Sequence, residues 1–391
     1  MWAERPVKTR QIEIFRGKLA MRDRKRAAIK CVCVLLGEVF AILGCFGCAR
    51  HVPEGGTLIQ AEVRDGAEVP ILGESLRSYF LNYNGPGSSA GRAGGGEEYK
   101  PVPVTLKWEC EDALYYIVGV SLSKEIKIEG GEGVATFVSF EKRVEVPDLF
   151  AGKTYYYKIY AVYADRTVES VLYSFTTEDF RRTIWIDGVS NTRDIGGFKA
   201  AGGKRVKQGI IYRGAAIESI TRQGRVEFLE KYGIKTEIDL RNGTEVSILS
   251  KKVKDVAVKA PLYIGDTGIN NPDYQEDFAK EIKVFADPEN YPIYYHCQIG
   301  RDRTGTLTCF LFLIAGVSEE DILKDYEVSH FSVYATHDRA SADATTANLK
   351  AMLEYLRNYG KGNIYKNTET FLNDIGVTKE EIAAIRKNIL E

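Results

Sequence analysis

One stretch of the chain reads Pro292-Ile-Tyr-Tyr-His-Cys-Gln-Ile-Gly-Arg-Asp-Arg-Thr-Gly305. It predicts a short β-rich run, then a loop, and then an apolar helix that begins near Thr304. Cys297 opens the loop and Arg303 closes it, with five residues between them. Because a helix N-terminus carries unpaired N–H groups and partial positive charge, a loop at this place favours an anion.

The contents of this loop point to phosphate chemistry. Consecutive backbone N–H groups can form a nest for three phosphate oxygens, and Arg303 can fork onto two of them as lysine cannot. The same positive field stabilises a thiolate at Cys297, which would be a nucleophile in line with a bound phosphorus. In the alternative interpretation Cys297 has no catalytic role and is a buried thiol that precedes a core helix. The predicted phosphate-binding residues are Gln298, Ile299, Gly300, Arg301 and Thr304.

The pattern His-Cys-x-x-Gly-x-x-Arg-Thr-Gly resembles the signature loop of cysteine-dependent protein tyrosine phosphatases. More narrowly, Gly300-Arg-Asp-Arg-Thr-Gly305 is similar to the Gly-Lys-Asp-Arg-Thr-Gly loop of bacterial tyrosine/serine phosphatases, some of which also act on phosphoinositides. Arg301 stands where that group usually has lysine, so the charge is kept but lysine-specific chemistry is not implied. The similarity covers most of residues 185–391, including Asn191-Thr-Arg-Asp-Ile-Gly-Gly197, Tyr212-Arg213, Asp239-Leu-Arg241, Asp325-Tyr326 and Asn373-Asp-Ile-Gly-Val377.

The resemblance implies hydrolysis of phosphate monoesters through a phosphocysteine intermediate. Cys297 would attack phosphorus, while Arg303 and the loop amides would stabilise the equatorial oxygens. Thr304 can donate a hydrogen bond to the Cys297 sulfur and help it to leave. We expect His296 to orient the loop, although it can equally be a satisfied structural histidine.

Three carboxylates compete for the role of general acid. Asp266 lies 31 residues before the predicted nucleophile, on a Gly-flanked loop placed like the acid loop of tyrosine phosphatases, although the usual Trp-Pro is absent. Asp302 lies within the catalytic loop and matches an Asp of the narrower family. It is either the acid or the partner of Arg301 or of a water. Asp239 is a third candidate, but with Arg241 it can equally form a structural ion pair.

Three arginines each have a functional and a structural interpretation. Arg301 either supplies positive potential for a second phosphate, as on an inositol ring, or pairs with Asp302. Arg193 and Arg213 either support the site from flanking loops or belong to structural pairs. The predicted partner is therefore a phosphotyrosine or phosphoserine protein, a phosphoinositide or an inositol phosphate.

Histidine content bears on metal-dependent alternatives. The four histidines, which form no metal-binding cluster, are His51, His296, His330 and His337. We therefore expect no metal and no other cofactor. A competing function of another class is a phosphate-reading pseudoenzyme joined to an adhesion module, against which the intact Cys297, Arg303 and Thr304 argue.

The N-terminus has the composition of an export leader. Residues 1–30 carry ten Lys or Arg and three Asp or Glu, and an apolar run with one internal Glu follows over residues 31–47. A basic flank before a short apolar run predicts a signal peptide, and the run is short for a membrane span. Ile42-Leu-Gly-Cys45 resembles a bacterial lipobox, with Cys45 as the lipidated residue and Cys48 as a second candidate. We expect export to the cell envelope, through a lipid or membrane anchor, or secretion.

The charge and the cysteine content exclude one class of binding partner and one kind of covalent cross-link. The chain has 53 Lys and Arg against 54 Asp and Glu, so loss of the basic leader leaves an acidic protein. This argues against nucleic-acid binding, which needs a basic surface. The seven cysteines predict no disulfide framework, because four lie in or beside the leader. Nothing in the composition indicates an oligomeric state.

Composition divides the chain into four parts. Residues 1–48 are the leader, and residues 49–99 are a predicted tether with a possible short helix and a Gly-rich linker over residues 85–96. Residues 100–178 alternate apolar and polar positions over several short strands, which predicts a β-sandwich. Residues 183–391 alternate strands with helices, which predicts a parallel α/β sheet flanked by helices, as in the tyrosine phosphatases.

A second resemblance concerns the predicted sandwich. Leu149-Phe-Ala-Gly-Lys-Thr-Tyr155 resembles the tyrosine corner of fibronectin type III domains, with Tyr155 as the corner. Trp108 stands where that family has its core tryptophan. This resemblance implies an all-β module that spaces or docks the catalytic domain.

Overall fold

The computed structural model describes residues 59–89, 99–241, 247–333 and 339–391. The predicted leader, with Cys45 and Cys48, lies outside these residues. Residues Thr57–Glu391 form one compact unit. Among the helices that the structure describes, none is long and apolar enough to cross a bilayer.

Two packed sheets form the N-terminal part of this unit. The three-stranded sheet has the order β1-β3-β6 and consists of β1 (Gln60–Ala61), β3 (Val104–Glu109) and β6 (Arg143–Val146). The other has the order β2-β9-β7-β4-β5, with β8 on β7. Its strands are β2 (Glu68–Val69), β4 (Tyr115–Ser121), β5 (Val134–Ser139), β7 (Thr154–Val162), β8 (Thr167–Glu169) and β9 (Tyr173–Thr177). Leu106 and Trp108 alternate into the buried layer between the sheets, as their spacing predicts.

The predicted corner contact is present in this region. The Tyr155 hydroxyl accepts a hydrogen bond from the backbone N–H of Phe150 at 2.8 Å. This is the contact by which a tyrosine corner fixes a sandwich connection. Assignment of the sheets to the fibronectin type III family remains a prediction.

Alternation of apolar and polar residues over residues 135–146 predicts one continuous strand, but the structure has two strands there, in different sheets. β5 pairs with β4, whereas β6 pairs with β3. The Ser139 hydroxyl donates to the carbonyls of Glu141 and Arg143, which stabilises the turn between them. The chain therefore crosses from one sheet to the other where alternation alone predicts continuity.

The described part of the segment predicted as a tether packs on the folded body. β1 and β2 add one strand to each sheet, and helix α1 (Glu74–Leu81) coincides with the predicted short helix. Leu76 and Tyr79 of α1 are buried. Residues 90–98, which hold most of the predicted Gly-rich linker, lie outside the described residues.

The C-terminal part is an α/β fold, as predicted. Its five-stranded sheet has the order β10-β11-β14-β12-β13, with β10 antiparallel to β11 and the other pairs parallel. The strands are β10 (Arg193–Asp194), β11 (Ile211–Gly214), β12 (Thr236–Asp239), β13 (Lys254–Ala257) and β14 (Ile293–His296). The helices are α2 (Arg222–Val226), α3 (Pro272–Lys283), α4 (Asp302–Ala315), α5 (Glu319–Val328), α6 (Arg339–Asn358), α7 (Ile364–Asp374) and α8 (Lys379–Ile389).

The sequence predicts helix caps at Thr221 and at the capping-box patterns Ser318-Glu-Glu-Asp321 and Thr378-Lys-Glu-Glu381, and helices begin at all three places. Thr221, Ser318 and Thr378 each accept a hydrogen bond from a backbone N–H in the first turn, and Thr378 forms a full capping box with Glu381. Helix α4 differs from the others because it is buried all round from Thr304 to its end. A helix that is mostly apolar after its first turn needs such a central position, and this position places the start of α4 beneath the loop that follows β14.

The corner loop of the sandwich docks on the α/β part. The backbone N–H and C=O of Ala151 both pair with the side-chain amide of Gln208, each at 2.9 Å. Nearby, the buried Arg182 guanidinium donates to Asp194 at 3.1 Å. The sandwich is thus fixed by directional contacts at its corner.

Candidate active site

The loop that begins at Cys297 leaves the central strand of the parallel sheet. β14 lies between β11 and β12, and the carboxyl ends of these three strands coincide: Gly214 and Asp239 both pair in register with His296. Ligands of open α/β sheets bind outside the carboxyl ends of the strands. The Cys297 thiol lies at this edge and is almost fully buried, with 5% of the residue exposed.

The loop carbonyls are held from behind. Asn191 donates its side-chain N–H to the carbonyls of Ile299 at 2.9 Å and Gly300 at 3.1 Å. Arg213 donates to the Gly300 carbonyl at 2.9 Å, and the Ala216 N–H donates to the Gln298 carbonyl at 3.2 Å. These contacts engage the carbonyls of the loop, and the loop's own peptide N–H groups take no part in them.

The backbone N–H groups of the loop are unpartnered in the part of the chain that the structure describes. From Gln298 to Arg303, none of the six backbone N–H groups donates a hydrogen bond to another described residue. Gly300 has φ +71°, and a Cβ there would lie 2.3 Å from the backbone of Gly214. Only glycine fits this tight passage. The result is a preformed nest of donors for a tetrahedral anion.

Arg303 is the cation that remains available at this nest. It lies half-buried in the first turn of α4 and forms no hydrogen bond or ion pair with the residues that the structure describes. In contrast, Arg301 donates to Asp302 at 2.9 Å, and Arg241 donates to Asp239 at 2.7 and 2.8 Å. An unpaired guanidinium beside a ring of N–H donors suits a phosphoryl group.

Thr304 is also unsatisfied. Its hydroxyl oxygen is buried and has no partner among the described residues. The predicted hydrogen bond to the Cys297 sulfur is not formed here. A buried hydroxyl without a partner is costly, and its place at the start of α4 leaves it free to donate when charge returns to the sulfur.

Behind the loop lies a buried charge network that is centred on Asp325. Arg213 donates to one carboxylate oxygen at 2.6 Å, and Arg193 donates to the other at 2.9 Å. Arg193 also donates to the side-chain oxygen of Asn191 at 2.7 Å. Both arginines are thus tied, directly or through Asn191, to the Gly300 carbonyl. Burial would raise the pKa of Asp325, but the two arginines outweigh it and hold the pKa below its usual value.

His296 has the environment of an orienting residue. It is fully buried, with Nε2 2.9 Å from a Glu237 carboxylate oxygen and Nδ1 3.3 Å from the Cys297 carbonyl. Both ring nitrogens are therefore engaged, which leaves neither for proton transfer to a substrate.

The candidate acids lie in three different settings. Burial raises the pKa of Asp302, but Arg301 and the hydroxyls of Tyr263 and Tyr326 outweigh it and lower the pKa below its usual value. At Asp239 burial is likewise outweighed, chiefly by hydrogen bonds from Arg241. Both carboxylates are thus stabilised in the ionised form.

Asp266 is exposed, and its carboxylate pairs with no described residue. It lies on the turn between β13 and α3, where its backbone carbonyl accepts a hydrogen bond from Asn271. The turn is joined to the catalytic loop through Tyr263, whose hydroxyl donates to Asp302 at 2.7 Å. The structure therefore brings Asp302, Asp239, His296, Arg193, Arg213 and Arg241 into contact with the loop or its neighbours, and Asp266 only through Tyr263.

Some site residues had no role assigned from the sequence. Asn191, Glu237, Tyr263, Asp325 and Tyr326 all contact the loop or the residues that hold it. The segments that resemble phosphatases include Asn191, Asp325 and Tyr326. This resemblance indicates that the three residues lie near the site, but it does not show which atoms they contact. Glu237 and Tyr263 carry no such signal.

Comparison with known proteins identifies the class. Residues 184–391 match the tyrosine phosphatase family, and the chain belongs to it. It is therefore a phosphatase of the protein tyrosine phosphatase type, which confirms the enzyme class that the loop predicts.

Individual relatives are distant. A putative tyrosine-protein phosphatase of Cupriavidus necator is 27% identical over 216 residues, which are 46% of this chain and 76% of that protein. A probable tyrosine-protein phosphatase of Dictyostelium discoideum is 30% identical over 102 residues, 25% of this chain and 61% of that protein.

Among solved structures, the core catalytic domain of the PP-IP phosphatase Siw14 from S. cerevisiae, in complex with citrate, is 22% identical. The match covers 34% of this chain and 78% of that one, with a TM-score of 0.26. A second structure of the Siw14 catalytic core is 16% identical and covers 44% and 88%, with a TM-score of 0.28. At these scores the likeness does not bear on substrate.

Proposed function

We propose that this chain hydrolyses phosphate monoesters of phosphotyrosine or phosphoserine proteins through a phosphocysteine intermediate. The observation that carries the proposal is the nest of six N–H groups from Gln298 to Arg303, with the Arg303 guanidinium beside it, all of which lack a partner among the described residues. Cys297 opens this nest, so a bound phosphoryl group would lie against its sulfur. Donors fixed in advance need no reorganisation when charge shifts during the reaction.

In the first step the Cys297 thiolate attacks phosphorus. A sulfur–phosphorus bond forms as the bond from phosphorus to the ester oxygen breaks. We assign the proton for the leaving oxygen to Asp266. Asp302 and Asp239 are held ionised by their arginines, whereas an acid must carry its proton before the bond breaks.

In the second step water attacks the phosphocysteine. Asp266, now ionised, accepts the proton of the water, and the phosphorus–sulfur bond breaks to release inorganic phosphate. The thiolate that leaves can accept a hydrogen bond from Thr304, whose hydroxyl is unpartnered before the reaction. Oxygens of the phosphoryl group stay on the loop N–H groups and Arg303 through both steps.

The pairing of the flanking arginines supports a substrate with one phosphate. Arg301 is engaged by Asp302, and Arg241 by Asp239 and by Glu218 at 2.6 Å. Neither is free for a second phosphate unless an ion pair breaks. Inositol phosphates and phosphoinositides therefore remain the competing outcome of a substrate test, not the leading proposal.

We also propose that the enzyme works outside the cytoplasm. The basic leader, its short apolar run and the lipobox-like Ile42-Leu-Gly-Cys45 support export, with a lipid on Cys45. The proposed fibronectin type III-like module would then hold the catalytic part at a fixed distance from the envelope.

The test compares the parent with Cys297→Ser on an aryl phosphate in the presence of a chelator. The parent should be active, and the variant should lose about 10³-fold or more of kcat, because the nucleophile is the group that cannot be replaced. Cys110→Ser, which changes a half-buried thiol of the sandwich, is the matched control and should keep parent activity. Activity that depends on metal and survives in Cys297→Ser would refute the proposal.

Substrate class is decided by a panel under the same conditions. Phosphotyrosine and phosphoserine peptides, phosphoinositides and inositol phosphates are compared by kcat/KM. Among the described arginines at the loop, only Arg303 has no partner, which predicts higher kcat/KM for the singly phosphorylated peptides. Preference for multiply phosphorylated inositols would instead mean that the Arg301–Asp302 pair opens for substrate.

A further inference from the structure

Helix α5 presents two different faces to the rest of the molecule. Asp325 and Tyr326 face the catalytic loop: Asp325 holds Arg213, and Tyr326 donates to Asp302 at 3.0 Å. Glu327 and, just beyond the helix, His330 are fully buried on another side. The proposed reaction uses neither of them. They are covered by residues 72–89, which we call the N-terminal strap.

The strap supplies the hydrogen bonds of the buried Glu327 carboxylate. One oxygen accepts from the Gly87 N–H at 2.5 Å. The other accepts from the Ser89 N–H and from the Tyr79 hydroxyl, each at 3.3 Å. Burial raises the pKa of Glu327, and the strap donors oppose that rise. Without the strap, the fully buried Glu327 carboxylate would lose these three hydrogen-bond donors, and a buried polar group without hydrogen bonds is costly.

Further contacts spread the strap over the end of α5. The Ser89 hydroxyl lies 2.7 Å from His330 Nδ1, and the Tyr79 hydroxyl also donates to the Lys324 carbonyl at 3.2 Å. The Tyr79 ring packs on Phe331 with 5.3 Å between ring centroids. Apolar and polar contacts thus hold the strap against the end of α5 and against the residues that follow this helix.

The other side of the strap is tied to the connection that leaves the sandwich. Arg77 donates to both carboxylate oxygens of Glu178, at 2.7 and 2.9 Å. The rings of Phe80 and Phe180 stack at 6.0 Å. The strap therefore spans from the exit of the sandwich to the helix that supports the catalytic loop.

We propose that the strap is a positioning element of the active site. By holding α5 it fixes Asp325, which holds Arg213 and so the Gly300 carbonyl, and it fixes Tyr326 against Asp302. Glu327 and Tyr79 act through these residues and touch no reacting atom. The proposal rests on the proposed function only for its activity readout, because oxyanion binding by the loop can be measured without turnover.

The test uses the full chain with Glu327→Gln. The amide keeps the shape of the side chain but turns an N–H₂ toward donors of the strap, so one of the three hydrogen bonds is replaced by a repulsive contact. Hydrogen exchange of residues 74–89 reports docking of the strap. Calorimetry with orthovanadate reports the loop, and kcat/KM for an aryl phosphate reports the reaction.

We expect faster exchange in residues 74–89, together with orthovanadate affinity and kcat/KM that both fall about 3- to 30-fold. Glu319→Gln is the matched control, since Glu319 lies on the same helix and its carboxylate pairs with Arg357 at 2.6 Å and not with the strap. It should stay within about twofold of the parent in all three measurements. An inactive parent that still binds orthovanadate would count against the proposed function and not against the strap.

Two results overturn the proposal. One is faster exchange in the strap with orthovanadate affinity and kcat/KM changed less than about twofold, since the strap would then be loose without consequence. The other is unchanged exchange, since Glu327 would then not hold the strap. If Glu327→Gln does not fold, Tyr79→Phe removes only the hydroxyl contacts to Glu327 and Lys324, and the same two criteria apply to it.

Discussion

At the scale of single residues, the carboxylates around the loop divide by what donates to them. Asp302 accepts from Arg301, Tyr263 and Tyr326. Asp239 accepts three hydrogen bonds from Arg241. Asp266 accepts none at its carboxylate from the described residues. Donors stabilise the charged form of a carboxylate, so Asp302 and Asp239 are held ionised, and this leaves Asp266 as the proposed acid.

The assignment of the acid predicts different pH–rate profiles for two variants. Asp266→Asn should lower kcat for an alkyl phosphate by about 10²–10⁴-fold and flatten the fall of rate at high pH, which reports loss of the acid proton. The loss should be much smaller for an aryl phosphate with an acidic leaving group, because that oxygen needs less protonation.

Asp302→Asn is the comparison within the same site. It should lower kcat, because the contacts of Tyr263 and Arg301 are disturbed, yet keep the fall of rate at high pH. A flat profile in Asp302→Asn together with an unchanged one in Asp266→Asn would show that the assignment is reversed.

Residues close in sequence were easier to place than residues that meet through the fold. The spacing of Cys297, Gly300 and Arg303 predicts one loop because the helix dipole and the nest need that order. The contact of Asn191 with the Gly300 carbonyl depends on a backbone φ of 57° at Asn191, which one sequence does not reveal. Arg301 pairs with Asp302 in the structure, which is one of the two interpretations left open for Arg301, while a role toward a second phosphate stays a matter for the substrate panel.

At the scale of elements, the hydrophobic pattern predicted whether a segment forms a helix or a strand better than it predicted where that element ends. Thr221, Ser318 and Thr378 cap helices as expected because capping is a local interaction. The β5–β6 region was misjudged, since alternation does not show where a chain changes sheets. The parallel order β11-β14-β12 also depends on long-range pairing, which local patterns predict only as a class.

Helix α3 contains a buried carboxyl that makes a prediction about stability. Glu281 is fully buried, and neither of its oxygens has a hydrogen-bond partner among the described residues. Burial, with a smaller contribution from Asp277, raises its pKa well above the usual value. Below the unfolded pKa of about 4.3, Glu281 is protonated in both the folded and the unfolded chain and costs no stability. As pH rises toward the folded pKa, ionisation favours the unfolded chain, so the free energy of unfolding falls.

Glu281→Gln should therefore be more stable than the parent at pH 7, by at most about 4 kcal/mol, and the gap should close near pH 4. Denaturant unfolding at several pH values measures this. Glu276→Gln, on the exposed face of the same helix, should show no such gap. A gap for Glu281→Gln that is constant with pH would mean that titration of Glu281 is not its cause.

At the scale of the whole molecule, the catalytic part is tied into the rest of the chain. The sandwich corner pairs with Gln208, and the strap covers the far side of α5. Composition predicted a tether where residues 59–89 pack, because short, polar and Gly-containing segments look alike whether or not they dock. The division into a strand-only part and a part that alternates strands with helices stays a prediction from the sequence, since the two patterns differ strongly.

The central claim is that Cys297 becomes covalently bound to the phosphoryl group. Acid quenching during turnover of an aryl phosphate with an acidic leaving group by Asp266→Asn, followed by peptide mass spectrometry, tests it most directly, because this variant still forms the intermediate but lacks the base that would hydrolyse it. The account predicts the added mass of one phosphoryl group on the peptide that contains Cys297 and none on peptides with Cys110 or Cys309. Turnover without any phosphorylated Cys297, or with the group on another side chain, would contradict it.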